Sequence, residues 1–218
     1  DKKLTYVVGV FDGLDGGANS GDSPLWAGRF SYNFLNVEKN PGYYTSSTYY
    51  GKGGDILTLA FAIQHQAGGS GTAAAPGDYT AFSTDLLFEK VFGNDGVVTV
   101  EGEYKYFDAN LSNAALADPA CFCLFDGKSW TATGLYLFPQ KVGIGQFQPY
   151  IRYTKNYADN SSDRKEYEGG LNYIIDGHNA RISLFYQYGD IATKGRTWVP
   201  GVRGDKVSAI KVAFQLQL

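Results

Sequence analysis

The sequence predicts an all-β fold, a transmembrane antiparallel up-and-down β-barrel, and three observations lead there. The first is the stretch Lys165 to Asp190, where Tyr167, Gly169, Leu171, Tyr173 and Ile175 alternate with Glu166, Glu168, Gly170, Asn172 and Ile174. After Asp176-Gly177-His178-Asn179, the residues Ala180, Ile182, Leu184, Tyr186 and Tyr188 alternate with Arg181, Ser183, Phe185 and Gln187. A period of two is the strand period, and Asp-Gly is a strong hairpin signal because glycine supplies the positive φ of the turn. Each arm spans about ten residues, the length of a tilted strand that crosses a bilayer.

The second observation is compositional. Aromatics make up 16% of the 218 residues, with 17 Tyr and 14 Phe. Mean hydropathy is nevertheless only -0.25. No apolar run approaches the ~18 residues of a spanning helix, whereas a barrel shows lipid only alternate residues. The third observation is that long and short connections interleave. The long set is 12–24, 66–78, 109–128, 156–164 and 191–206, and the short set is 93–96, 139–145 and 176–179. Long loops on one side and short turns on the other are the arrangement of bacterial outer-membrane barrels.

Ten strands are predicted along one domain, 1–218. Residues 4–11 are apolar on both faces. Residues 25–34 set Trp26, Phe30, Tyr32 and Phe34 against Ala27, Arg29, Ser31 and Asn33, and residues 56–65 set Leu57, Leu59, Phe61 and Ile63 against Thr58, Ala60, Ala62 and Gln64. Residues 79–91 set Phe82, Leu86 and Phe88 against Asp85 and Glu89, and residues 97–107 set Val98, Val100, Tyr104 and Tyr106 against Thr99, Glu101, Glu103 and Lys105. Residues 130–138 alternate less regularly, and 147–157 set Phe147, Ile151 and Tyr153 against Gln148, Arg152 and Thr154. The hairpin supplies 165–175 and 180–190. Residues 207–218 finish the chain, with Ile210, Val212, Phe214, Leu216 and Leu218 opposite Lys211, Ala213, Gln215 and Gln217.

The stretch 37–54 is a long connection on the short side, rich in Tyr43, Tyr44, Tyr49 and Tyr50. Its tyrosines are expected in the interfacial girdle, rings in lipid and hydroxyls in water. The same parity places both chain ends on the periplasmic side. The absence of Met leads to the expectation that an N-terminal segment has been removed or was never part of this sequence. A net charge of -3 argues against a nucleic-acid partner.

Several segments resemble a known family. YLFPQKVGIGQFQPYIRYTKNY, YEGGLNYIIDGHNARISLFYQYGD and the closing VSAIKVAFQLQL are similar to the C-terminal half of porins of the phosphate-selective O and P family. GVFDG at 9–13, GYYTSSTYYGKGGDILTLAF at 42–61 and DLLFEKVFGNDGVVTVEGEYKYFD at 85–108 resemble its middle strands. The resemblance implies a bacterial outer membrane, with the lipid bilayer and lipopolysaccharide as partners. It also implies a homotrimer of passive diffusion pores for small hydrophilic solutes or ions, with roughly 16 strands per subunit. Ten strands are then either the C-terminal part of such a barrel or a small barrel closed on itself. Two features depart from the family: no ladder of arginines and lysines is legible, and the chain finishes on Leu218 where relatives finish on an aromatic residue.

The candidate site residues are the charges on the lumen parity. Six are acids, Asp85, Glu89, Glu101, Glu103, Glu166 and Glu168, and five are bases, Arg29, Lys105, Arg152, Arg181 and Lys211. Four acids fall on adjacent strands while most bases fall elsewhere, so opposed acidic and basic walls are expected to filter solutes by charge. The plainer reading is that these residues only solvate a water-filled wall.

No catalytic residue, cofactor or metal is expected. Cys121 and Cys123, in ACFCLF, read as a disulfide or as free thiols, two sulfurs being too few for a zinc set. His178 reads as a solvated turn residue. His65 stands at the outer end of its strand, where a barrel hydrolase would hold a base, but no partner is legible beside it apart from Asp85 on the next strand. The alternatives to a porin are therefore a non-conducting structural barrel or partner sleeve and, further off, a ten-stranded hydrolase. Asp12-Gly-Leu-Asp-Gly-Gly-Ala-Asn-Ser-Gly-Asp is glycine-rich turn chemistry without EF-hand spacing.

Overall fold

Alternating side chains drive each segment to pair with its sequence neighbour, and the result is one antiparallel meander. In the computed structural model, which describes residues 2–39, 48–119, 121, 126–159, 162–190 and 206–217, the strands are β1 Leu4–Phe11, β2 Leu25–Asn33, β3 Ile56–Thr72, β4 Ala75–Val91, β5 Val97–Asp108, β6 Gly127–Leu137, β7 Lys141–Val142, β8 Gly145–Ala158, β9 Arg164–Asp176, β10 Ala180–Gly189 and β11 Val207–Leu216. The order is β1-β2-β3-β4-β5-β6-β8-β9-β10-β11, with the two-residue β7 paired to β8 in the turn between β6 and β8. A short helix, α1 (Asn113–Ala117), starts on the side chain of Ser112, which accepts from the Ala115 N–H. No helix among the described residues is long and apolar enough to cross a membrane.

Three expectations need correction. The sheet does not close: among the described residues β1 is bonded only to β2 and β11 only to β10, so a complete barrel is not formed by these strands. Closure would need tilt and register to satisfy both edges at once. The expected loop 66–78 is instead the continuation of β3 and β4, whose pairing resumes beyond a register shift with Ser70 opposite Gly77 and Thr72 opposite Ala75. The small residues of AGGSGTAAAPG hid that strand, and Gly68, at φ +66, is where the shift falls. At 17 residues each, β3 and β4 run to roughly 55 Å at ~3.3 Å per residue, well beyond an apolar band of ~25 Å. The helix in 109–128 was also not legible.

The sheet has one polar and one apolar face. Register places Tyr32, Leu59 and Leu86 in one row and Phe30, Phe61 and Thr84 in the next. The rings of Phe61, Phe82 and Tyr106 follow each other at 6.1 and 5.1 Å. These side chains are on the exposed face; Ile151, for example, is 73% exposed. On the other face Asp85, Glu89, Gln148, Glu168 and Asn172 are buried. This polarity is the reverse of a water-soluble sheet packed on a core.

The polar face is concave. Thr48 is bonded both to Glu89 of β4 and to His178 in the turn after β9. On a flat sheet those positions would stand at least four strand spacings apart, roughly 19 Å, so the sheet curls around the segment carrying Thr48. Two small apolar clusters lie on the concave side among the described residues. Tyr50, Val97, Leu137 and Ile174 gather at the short-turn end, and Tyr79, Ala81 and Ala109 gather at the long-loop end.

Candidate functional site

The charged residues of the concave face fall into two networks and a plug. The first network links β2, β4 and β5. Register sets Asp85 directly opposite Glu103 on one face, an unfavourable pairing of like charges. Each acid has its own base. Arg29 Nη1 and Nη2 donate to Asp85 at 2.9 and 3.2 Å, a bidentate pair, and Lys105 Nζ lies 2.9 Å from Glu103 Oε2. Bidentate guanidinium–carboxylate pairs fix orientation as well as charge. Beside them opens a cleft of about 340 Å³ lined in part by Arg29, Gln64, Ser83, Lys105, Phe11 and Phe107.

The second network links β8, β9 and β10. Glu168, only 5% exposed, accepts from Tyr150 Oη at 2.7 Å, Arg152 Nη2 at 2.6 Å and Gln187 Nε2 at 2.5 Å. The same Gln187 amide reaches Glu166 at 3.2 Å. A neutral relay continues toward the short-turn end: Ser183 Oγ donates to Asn172 Oδ1 at 2.7 Å, and Asn172 Nδ2 donates to Gln148 Oε1 at 3.1 Å. Gly170 makes the second network possible, because a Cβ there would stand 2.7 Å from Tyr150 Cε1 and 2.6 Å from Phe185 Cβ.

The plug is the end of the β2–β3 connection. Glu89 is fully buried and accepts from Gly51 N at 2.7 Å and from Tyr49 N, Thr48 Oγ1 and Thr99 Oγ1 at 3.0 Å each. Gly51 adopts φ +77, and a Cβ on it would meet Val97 at 2.8 Å, so glycine is required for the backbone to come so close. Tyr49 Oη donates to Glu38 at 2.8 Å. Asp55 ties the exit of the plug to β4: it receives the Val91 N–H at 3.0 Å and pairs with Lys90, and these two bonds hold its carboxyl below the usual range. Burial pushes the Tyr50 phenol up, partly opposed by Arg181.

This corrects the reading of 37–54 as an interfacial girdle: Tyr50 is 9% exposed and faces the interior, while Tyr43 and Tyr44 lie outside the described residues. His178 is corrected too. Its Nε2 lies 2.8 Å from the Thr48 carbonyl oxygen, its ring is 5.0 Å from that of Tyr50, and burial lowers its pKa.

The eleven predicted site residues thus share the concave face but not one role. Arg29, Asp85, Glu103 and Lys105 come together, as do Arg152, Glu166 and Glu168. Glu89 holds the plug, Arg181 and half-buried Glu101 lie near Tyr50, and Lys211 is exposed on the edge strand β11. The opposed acidic and basic walls are not what the side chains form, since Asp85, Glu103 and Glu168 each meet a base locally. Cys121 is held in a disulfide; Cys123 lies outside the described residues. His65 faces the apolar side, with Nδ1 2.9 Å from Thr80 Oγ1, and Asp85 is on the opposite face.

Sequence reasoning missed Thr48, Tyr50, Gly51, Tyr150 and Gln187. Tyr150 and Gln187 share strand parity with Arg152 and Arg181 and could have been found that way. The glycines after Tyr50 signal a reversal, but nothing local shows that it turns inward. No family model, curated protein or solved structure matches the chain.

Proposed function

We propose that this chain forms the wall of a passive outer-membrane porin through which small hydrophilic solutes or ions diffuse along the polar face. The observation that carries the reading is the inverted polarity. Large apolar side chains such as Phe30, Leu59, Phe61, Ile63 and Ile151 are exposed on one side, while charged networks are enclosed on the other. A face of that extent exceeds what a soluble monomer shows to water and matches a lipid-facing band. In lipid an unpaired edge is costly, so the edges of β1 and β11 need partners if the sheet is to complete a barrel, and trimers of such barrels are the assembly the family resemblance suggests.

Transport through this wall needs no catalytic group. Solute passes paired charges that offer exchangeable hydrogen bonds, and locally balanced pairs give weak ion selectivity. The plug of Thr48 to Gly54 narrows the periplasmic end. Planar-bilayer recording of the native protein, with the reversal potential taken under a salt gradient, tests the reading: discrete channel steps with a small reversal potential are expected. Insertion without steps would overturn it in favour of a non-conducting barrel, the reading that the buried plug itself favours.

A further inference from the structure

We infer that Lys128, Lys155 and Lys165 form a binding site for the phosphorylated head group of an outer-leaflet glycolipid, a site that rests on the membrane-barrel reading above. The three lysines belong to neighbouring strands β6, β8 and β9. Register sets Lys128 opposite Tyr157, and sets Lys155 opposite both Trp130 and Lys165. All therefore project from the apolar, convex face at the long-loop end.

The arrangement is layered. Deepest are Ile151 and Leu171, both exposed on the convex face. Above them lie Tyr153 and Tyr167, with ring centroids 4.8 Å apart and Trp130 at 4.9 Å from Tyr153. Above the rings come the ammonium groups: Lys155 Nζ stands 4.1 Å and Lys128 Nζ 5.7 Å from the centre of the Tyr157 ring. Apolar residues, then aromatics, then cations is the sequence that acyl chains, the interface and an anionic head group would meet on rising through a leaflet.

Lys155 and Lys165 are directly opposed, a like-charge pair that destabilises the isolated sheet. Two acids flank Lys155 and Lys165, with Asp163 3.5 Å from Lys155 and Asp190 accepting the Lys165 backbone N–H at 3.2 Å, and Asp108, Asp126 and Asp159 stand around Tyr106, the residue opposite Lys128. Arg164 has the opposite parity and belongs to the concave face. A phosphate spanning opposed lysines would relieve their repulsion through charge-assisted hydrogen bonds. The occupant is a lipid rather than free phosphate because the aromatic and apolar layers lie directly beneath on the same face.

The test compares the native full-length protein with the triple variant Lys128→Gln, Lys155→Gln, Lys165→Gln, and with Lys141→Gln at the opposite end as a control. Each protein in nanodiscs is titrated with bisphosphorylated lipid A, with dephosphorylated lipid A and with inorganic phosphate, and channel formation is recorded in parallel. Removing three lysines is expected to weaken binding of the bisphosphorylated lipid on the order of 100-fold, with channel conductance and binding of the dephosphorylated lipid unchanged. Equal affinity of the triple variant and the parent overturns the site, as does an equal loss in the control. Saturable binding of inorganic phosphate in place of the lipid also overturns it. A parent protein that fails to insert overturns the barrel reading and the site together, whereas insertion with unaltered lipid binding overturns the site alone.

Discussion

Replacing Glu89 by Gln should loosen the plug, because four hydrogen bonds from Thr48, Tyr49, Gly51 and Thr99 converge on that carboxylate. The carboxylate oxygens accept two backbone N–H groups and two hydroxyls from within 3.0 Å. An amide of the same shape keeps one acceptor oxygen and turns an NH2 toward the donors that met the other. Hydrogen bonds to a charged group are worth about 1.5–3 kcal/mol each, and a buried donor left without an acceptor costs about 1–3 kcal/mol. Losing one such acceptor, with the hydroxyls free to reorient, therefore destabilises the docked segment by about 2–4 kcal/mol. At about 1.4 kcal/mol per tenfold, opening becomes roughly 30- to 1000-fold more frequent. Hydrogen exchange of a peptide covering residues 48–54 should accelerate by that factor, while β8–β9 peptides stay protected. Single-channel conductance should rise in the same variant. Unchanged exchange at Tyr49 and Gly51 in Glu89→Gln would refute the assignment of Glu89 as the anchor of the plug.

Other predictions follow from the same geometry. Arg29→Gln leaves Asp85 and Glu103 facing each other with one cation fewer, so the reversal potential should move toward cation selectivity; Asp85→Asn should move it the other way. Neutralising Glu101 and Glu103 together should shift it toward anions, and an unchanged value would dismiss an electrostatic role for that strand. His178 is half-buried against Thr48 and Tyr50, and its depressed pKa means that the docked plug favours the neutral ring. The docked state therefore has its full stability above the ordinary histidine value of about 6.5 and loses it as pH falls toward the lower docked-state value. Conductance should rise on acidification across that window, and His178→Gln should abolish the dependence. Gly170→Ala should displace Tyr150 from Glu168 and destabilise the sheet by about 1–3 kcal/mol, read as a lower thermal midpoint; an unshifted midpoint would show that the neighbouring rings yield freely.

The strands were legible because a two-residue period is a local property. Each predicted strand overlaps an observed one, and the parity that put Asp85, Glu103, Arg152 and Glu168 together on one face is the parity of the register. The same reasoning failed where alternation was masked by small residues, as in Gln66 to Gly77, whose pairing continues past the bulge. It failed again at α1, which has a single turn and no apolar stripe to announce it.

By itself the sequence determined which residues form strands, which neighbours pair and which side chains share a face, since all three follow from spacing along the chain. Register and curvature decided the rest. Arg29 reaches Asp85, 56 positions away, across the alanines of β3 once the three strands are in register, and only when the sheet curls does Thr48 reach His178, 130 positions away. Whether an acid faces water, a base or a plug depends on what the sheet curls around, and that curvature brings together residues whose spacing along the chain gives no local sign of it.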